Sequence, residues 1–211
     1  MIEHKFFINL AKDIHRAEKF IQTDFIRWRA TPREEVSEEL NKKMISYYNY
    51  PKKSHLGRCG CFQSHINLLE HIVNNKLNNV LIVEDDAVQV NELPADYPKD
   101  SLIYLGGFLH NKQMTNNKKV LLESADGINN LPDDYRILMT LSYIIPTWEV
   151  ADDILKKIKL LKRYRAIDIL LGNLDIKKSY IYPACFEEEG VQSTINKKSK
   201  KSNKYYEWVK N

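Results

Sequence analysis

The chain has 211 residues, 43% of them hydrophobic and 28% charged, with seven glycines and seven prolines. That composition excludes wholesale disorder, a collagen-like repeat and a linker, and the length suits one large domain around a single core. The net charge of +4 resides in residues 196–211, where six lysines face only Glu207; the remaining body is near neutral, without the basic face of a nucleic-acid-binding domain.

The longest aliphatic run is Val80–Val83, far short of the roughly 20 apolar residues of a membrane span. The N-terminus passes from Met1 through Glu3 and Lys5 without an apolar signal segment, so a soluble, cytoplasmic protein is expected. Cys59, Cys61 and Cys185 are an odd count without a second Cys or His pair at ligand spacing. They predict reduced thiols, neither a disulfide framework nor a zinc site.

In chain order, Lys5–Leu10 reads as a buried strand, followed by a helix near Ile14–Phe25. Thr31–Asn49 places Glu34, Glu35, Glu38 and Glu39 ahead of Lys42 and Lys43, an order that suits a helix dipole. Tyr47–Leu56 contains Pro51 and reads as a loop. From Gly57 to Leu77 apolar residues recur at helical spacing, and Val80–Val83 reads as a central strand buried on both faces. Ser101–Leu105, Ile137–Ile145 and Ser179–Phe186 are further strands. Between the last two, Thr147 is placed to cap a helix with Asp152 and Asp153 as dipole charge rather than metal ligands. Strands alternating with helices argue an α/β fold with a mostly parallel central sheet.

The informative stretch runs from Val80 into Glu84-Asp85-Asp86-Ala87. Ligands of open α/β sheets bind outside the carboxyl ends of strands, where these acids belong. Adjacent carboxylates repel, and a divalent cation among them relieves the repulsion. Strand alternation points Glu84 and Asp86 to one side and Asp85 to the other, and two acids on one side can hold a hard cation that keeps positions for water and phosphate. The chain has no G-x-x-x-x-G-K-[ST] and no G-x-G-x-x-G, so a diphosphate bound here needs metal neutralisation. H-E-x-x-H and G-x-S-x-G are also absent. A metal bridging carboxylates to a nucleotide diphosphate suits a transferase whose leaving group is that diphosphate.

Gly57-Arg58-Cys59-Gly60-Cys61-Phe62-Gln63-Ser64-His65, a helix, and Leu81-Ile82-Val83-Glu84-Asp85-Asp86-Ala87 together resemble glycosyltransferase family 25. Ile8-Asn9-Leu10 with Arg16 and Phe20 is similar to the family's opening. Ser142–Ile145, Ile167-Asp168, Tyr182-Pro183 and Gln192-Ser193 are similar to its later part, whereas Arg58 stands where the family usually has an acid. The resemblance implies a GT-A (Rossmann-like) fold, a nucleotide-sugar donor (usually a UDP-sugar), Mn²⁺ or Mg²⁺, and inversion at the anomeric carbon. It also implies a glycan, glycolipid or glycoprotein acceptor.

On that reading Asp86 contacts the metal with help from Glu84, while Asp85 bonds ribose or a neighbouring backbone group. Asn9, Leu10 and Arg16 surround the nucleotide, with a solvated arginine as the alternative for Arg16. Ser64 and His65 position the donor or the metal shell, although His65 shares an apolar face with Cys61 and Leu69 and reads equally as a satisfied core residue. Asp168 is the candidate base, with a helix N-cap as the alternative and Glu187, Glu188 and Glu189 in reserve. Gln192 and Ser193 close over the diphosphate or form a polar loop. A single catalytic domain is expected over residues 1–195. The tail, residues 196–211, is a solvated terminus, a linker to a further domain, or a peripheral contact with an anionic membrane. Two other functions compete: a metal-dependent phosphohydrolase or nucleotidyltransferase using the same acids, and a non-catalytic binding module.

Overall fold

The computed structural model describes residues 1–45, 52–112 and 124–189. Gln192, Ser193 and the basic tail lie outside the described residues. Strand β1 (His4–Asn9) leads to a single-turn helix α1 (Ile14–Ala17) that tightens into a 3-10 turn over Glu18–Phe20. The helix expected up to Phe25 stops there, and β2 (Ile26–Arg29) follows. A 3-10 turn at Arg33–Glu35 and helix α2 (Glu38–Lys43) replace the single charged helix expected from Thr31. Ser37 caps α2 by accepting from the Leu40 N–H at 3.1 Å, which fixes its start.

Helix α3 (Lys52–Asn74) begins earlier than its apolar periodicity indicates, so Lys52–Leu56 is helix rather than loop. Strand β3 (Val80–Glu84) is followed by β4 (Ala87–Gln89), β5 (Leu102–Tyr104), β6 (Phe108–Asn111) and β7 (Gly127–Asn130). The stretch expected as one strand from Ile137 divides into β8 (Tyr135–Leu138) and β9 (Ser142–Ile145), because Met139 between them turns through the left-handed region at φ +67°. Helices α4 (Trp148–Lys159) and α5 (Ile167–Asn173) and strands β10 (Lys178–Tyr182) and β11 (Phe186–Glu188) complete the described chain. Thr147 sits at the N-cap of α4 without a side-chain cap bond, and Asp152 and Asp153 pair with Lys156 and Lys157 at 2.5 and 2.8 Å.

Seven strands form the central sheet in the order β2-β1-β3-β9-β5-β10-β7. Five run one way; β9 and β7 run against them, β9 between β3 and β5. Val80–Val83 is fully buried because both faces are covered. On one face Phe6, Ile8, Val80, Ile82, Tyr104 and Tyr143 pack against α3, α4 and α5. Phe7, Leu81, Val83, Ile103 and Ile144 face α1, its 3-10 extension and the segment around Cys185. Leu68, Leu69 and Ile72 of α3 are fully buried, each contributing about 1.5–3 kcal/mol of transfer free energy. Among the described residues no helix is long and apolar enough to cross a membrane.

Candidate functional site at the carboxyl end of β3

The three acids close the central strand, and each faces different company. Glu84 ends β3 on the face that carries Val80 and Ile82, so it turns toward α3. Its Oε1 lies 3.2 Å from His65 Nε2 and also receives the Thr140 hydroxyl. A carboxylate only accepts, so His65 donates through Nε2–H, and its Nδ1 lies 2.8 Å from the Tyr143 hydroxyl. Burial opposes ionisation of Glu84, but the hydrogen bond and charge of His65, with Thr140, outweigh it and hold the carboxyl below its ordinary range.

Asp85 faces α1. Its Oδ2 accepts from Asn9 Nδ2 at 2.7 Å and its Oδ1 from Arg16 Nη1 at 3.2 Å. Arg16 is buried, so its charge is spent inside the protein rather than in solvent. Arg27 Nη2 donates to Asn9 Oδ1 at 2.5 Å and to the Leu10 carbonyl at 3.2 Å, which fixes the Asn9 amide. Burial still raises the Asp85 carboxyl above its usual range despite Asn9 and Arg16.

Asp86 lies beyond the reach of strand alternation. The strand stops at Glu84 and Asp85-Asp86 form a turn, so period-two geometry no longer assigns Asp86 a side. Its Oδ1 is buried without a hydrogen-bond partner among the described residues. Burial first, then the charges of Glu84, Asp85 and Glu188, push its carboxyl up to about 7, against a smaller pull from Arg16. Glu188 comes close because β11 pairs with β4, matching Glu188 to Ala87, and the Glu189 N–H donates to the Asp86 carbonyl at 2.7 Å. An ionised carboxylate with no donor among like charges is unfavourable until a cation joins it.

Gly60, Ser64 and His65 act together along α3. A Cβ on Gly60 would fall 2.5 Å from the Thr31 carbonyl oxygen, so only glycine allows the loop after β2 to lie this close. Ser64 Oγ donates to the Gly60 carbonyl at 2.7 Å and accepts from the Thr31 N–H at 2.8 Å, clasping loop to helix. Between loop, helix and sheet lies a cleft of about 740 Å³, lined by Leu10, Thr31, Cys61, Ser64, His65 and Asp85 among others. Asn9 and Arg16 reach it through Asp85, and Leu10 forms part of its wall.

Sulfur, ring nitrogen and carboxylate atoms of Cys61, His65 and Glu84 lie within 4.8 Å of one another, a grouping able to hold a metal. The sequence signal for it was Cys61 and His65 one helical turn apart, overlooked because the third member comes from β3. Burial and then the charges of Glu84, Asp168, Asp86 and Asp85 keep the Cys61 thiol protonated. Asp168, on the first turn of α5, accepts from the Met139 N–H at 3.1 Å and the Ile169 N–H at 2.7 Å. It therefore braces the left-handed turn at Met139 that delivers Thr140 to Glu84. Thr140 and Arg27 carry no recognisable motif and emerge only from the topology, while Tyr143 lies in the family-like stretch Ser142–Ile145, which by itself assigns it no role.

The family profile described as Glycosyltransferase family 25 (LPS biosynthesis protein) matches residues 2–171, spanning the Gly60–His65 helix, the acids and Asp168. No curated protein matches the chain significantly. Sugar transfer displaces both the phosphohydrolase and the binding-module readings. With most of its length matched and its acids assembled at one sheet edge, the chain belongs to glycosyltransferase family 25 and is a glycosyltransferase.

Proposed function

We propose that this glycosyltransferase has a GT-A-type catalytic domain over residues 1–195 and draws its sugar from a UDP-sugar, with Mn²⁺ or Mg²⁺ and inversion at the anomeric carbon. The observation that carries this reading is Asp86: a buried carboxylate oxygen without a partner, in a cluster of acids beside an open cleft. The donor set fits a hard cation, with oxygen from Asp86 and assistance from Glu84. A thiol suits softer metals, so Cys61 and His65 serve as support rather than as the cation's ligands. When bound, the cation supplies Lewis acidity to a diphosphate leaving group.

The protein's own residues supply the remainder. Asn9, Leu10, Arg16 and Asp85 form the nucleotide side of the cleft, with Asp85 held by Asn9 and Arg16 so that its oxygens stay in place. Ser64 and His65 fix the helix and Glu84. In an inverting displacement the acceptor oxygen bonds to the anomeric carbon as the bond to the diphosphate oxygen breaks, and a base takes the acceptor proton. Asp168, an acid on the first turn of α5 within the stretch matched to the family, is the proposed base.

A thermal-shift screen of UDP-sugars with Mn²⁺ or Mg²⁺ tests the donor reading; a ligand at 100 times its dissociation constant stabilises by about 2.7 kcal/mol. The expected result is a shift that needs both cation and nucleotide sugar. No shift with any nucleotide sugar overturns the reading, and an NMR assay of the product's anomeric configuration tests inversion.

A further inference from the structure

A second cavity, of about 730 Å³, opens at the carboxyl ends of β5 and β10, the same sheet edge that carries the acids. Tyr104, Tyr180 and Tyr182 wall it, with Gly106, Gly107 and Glu187. Strand register sets Tyr143, Tyr104 and Tyr180 side by side across β9, β5 and β10. This row begins at the tyrosine that bonds His65, and so leads from the donor acids into the cavity.

The Tyr180 hydroxyl is 2.6 Å from Ser124 Oγ, but the buried Tyr104 hydroxyl has no hydrogen-bond partner among the described residues. A buried phenol left unpaired costs stability, and a ligand that bonds it removes the cost. Glycines keep the cavity's backbone close to its neighbours. A Cβ on Gly106 would lie 2.5 Å from the Phe186 carbonyl oxygen, and Gly107 has φ +115°, with its Cβ position 2.6 Å from Ile137. Aromatic faces mixed with hydroxyls and one carboxylate match a pyranose, which presents an apolar C–H face edged by hydroxyls.

We infer that the tyrosine-walled cavity binds a sugar ring of the acceptor, with the Tyr104 hydroxyl bonding one of its oxygens. This assignment rests on the donor occupying the cleft between α3 and β3. Glu187 lines the cavity, and its neighbour Glu188 pairs with Ala87, the residue after Asp86.

The test is NMR on the full chain with ring-labelled tyrosine, titrated with the methyl β-glycosides of galactose, glucose and N-acetylglucosamine. At least one glycoside is expected to move the Tyr104, Tyr180 and Tyr182 resonances. Tyr182→Ala and the conservative Tyr104→Phe are each expected to weaken it by about fivefold or more. Tyr104→Phe should melt at or above the wild-type temperature, because it removes an unpaired buried hydroxyl. The inference is overturned if no glycoside moves those resonances, if both folded variants bind as wild type does, or if Tyr104→Phe melts lower. Calorimetry with UDP on the same sample reads the donor cleft separately: glycoside binding without UDP binding defeats the donor reading and leaves the sugar site standing.

Discussion

His65 Nε2 stands 3.2 Å from Glu84 Oε1, joining the middle of α3 to the end of β3. The Tyr143 hydroxyl, 2.8 Å from Nδ1, holds the ring in that orientation from β9. Tyr143→Phe removes this partner and leaves a buried ring nitrogen unbonded, so a loss of about 1–3 kcal/mol is expected in urea unfolding. Turnover should fall as well, because Glu84 loses its fixed neighbour. Wild-type stability in the variant would show that the ring is held by something else.

Gly60→Ala tests the approach of α3 to the loop after β2. The added methyl meets backbone rather than a flexible side-chain end, so the loop must move. A stability loss of roughly 1–3 kcal/mol is expected from overpacking. Nucleotide affinity should weaken too, since Thr31 and Pro32 line the cleft. Thermal melting and a UDP titration check the two parts independently.

Asp86→Asn separates stability from function. It removes one charge from a group repelled by Glu84, Asp85 and Glu188 while keeping the shape. The cation-free protein should gain about 1 kcal/mol at pH 8. Cation-dependent nucleotide binding should disappear in calorimetry. A variant that loses stability and still binds UDP with Mn²⁺ would remove Asp86 from the site.

Lys178 provides a pH test away from the acids. Its Nζ is buried and donates to the Leu174 carbonyl at 2.5 Å. Burial, then nearby Lys112, lowers its pKa to about 8; Asp133 and Asp175 oppose the shift, and Lys157 adds to it. The ordinary value is 10.5, so between 8 and 10.5 the unfolded chain holds the proton that the folded chain has released. Stability from this group therefore rises with pH across that window, and the penalty is complete below about 8. Lys178→Met is expected to stabilise by roughly 1–3 kcal/mol at pH 7, with the gain shrinking toward pH 10.5. Parallel urea melts at the two pH values measure it.

Much of the central architecture was legible because burial on both faces leaves a strong local mark. Val80–Val83 has no polar residue to accommodate, and α4 alternates apolar and charged turns. The short pieces were harder: β2 is mostly exposed, and among the described residues β6 and β8 pair only with each other. Their stability comes from partners distant in sequence, which no local pattern records. At the site, Glu84–Asp86 announced themselves by ending an apolar run in acids. Thr140 did not, and the role of Tyr143 within Ser142–Ile145 stayed hidden, since a hydroxyl there matters only once β9 is known to lie beside β3. Alternation does not reach Asp86, which lies two residues beyond the strand.

The insertion of β9 between β3 and β5 has a practical outcome for anyone shortening this gene. A product ending near residue 100 would retain every letter of the acidic signature and the helix before it, yet would lack the hydroxyls that grip Glu84 and His65. Detecting the signature in a truncated reading frame therefore says little about competence; the missing strand would have to return, even as a separate peptide.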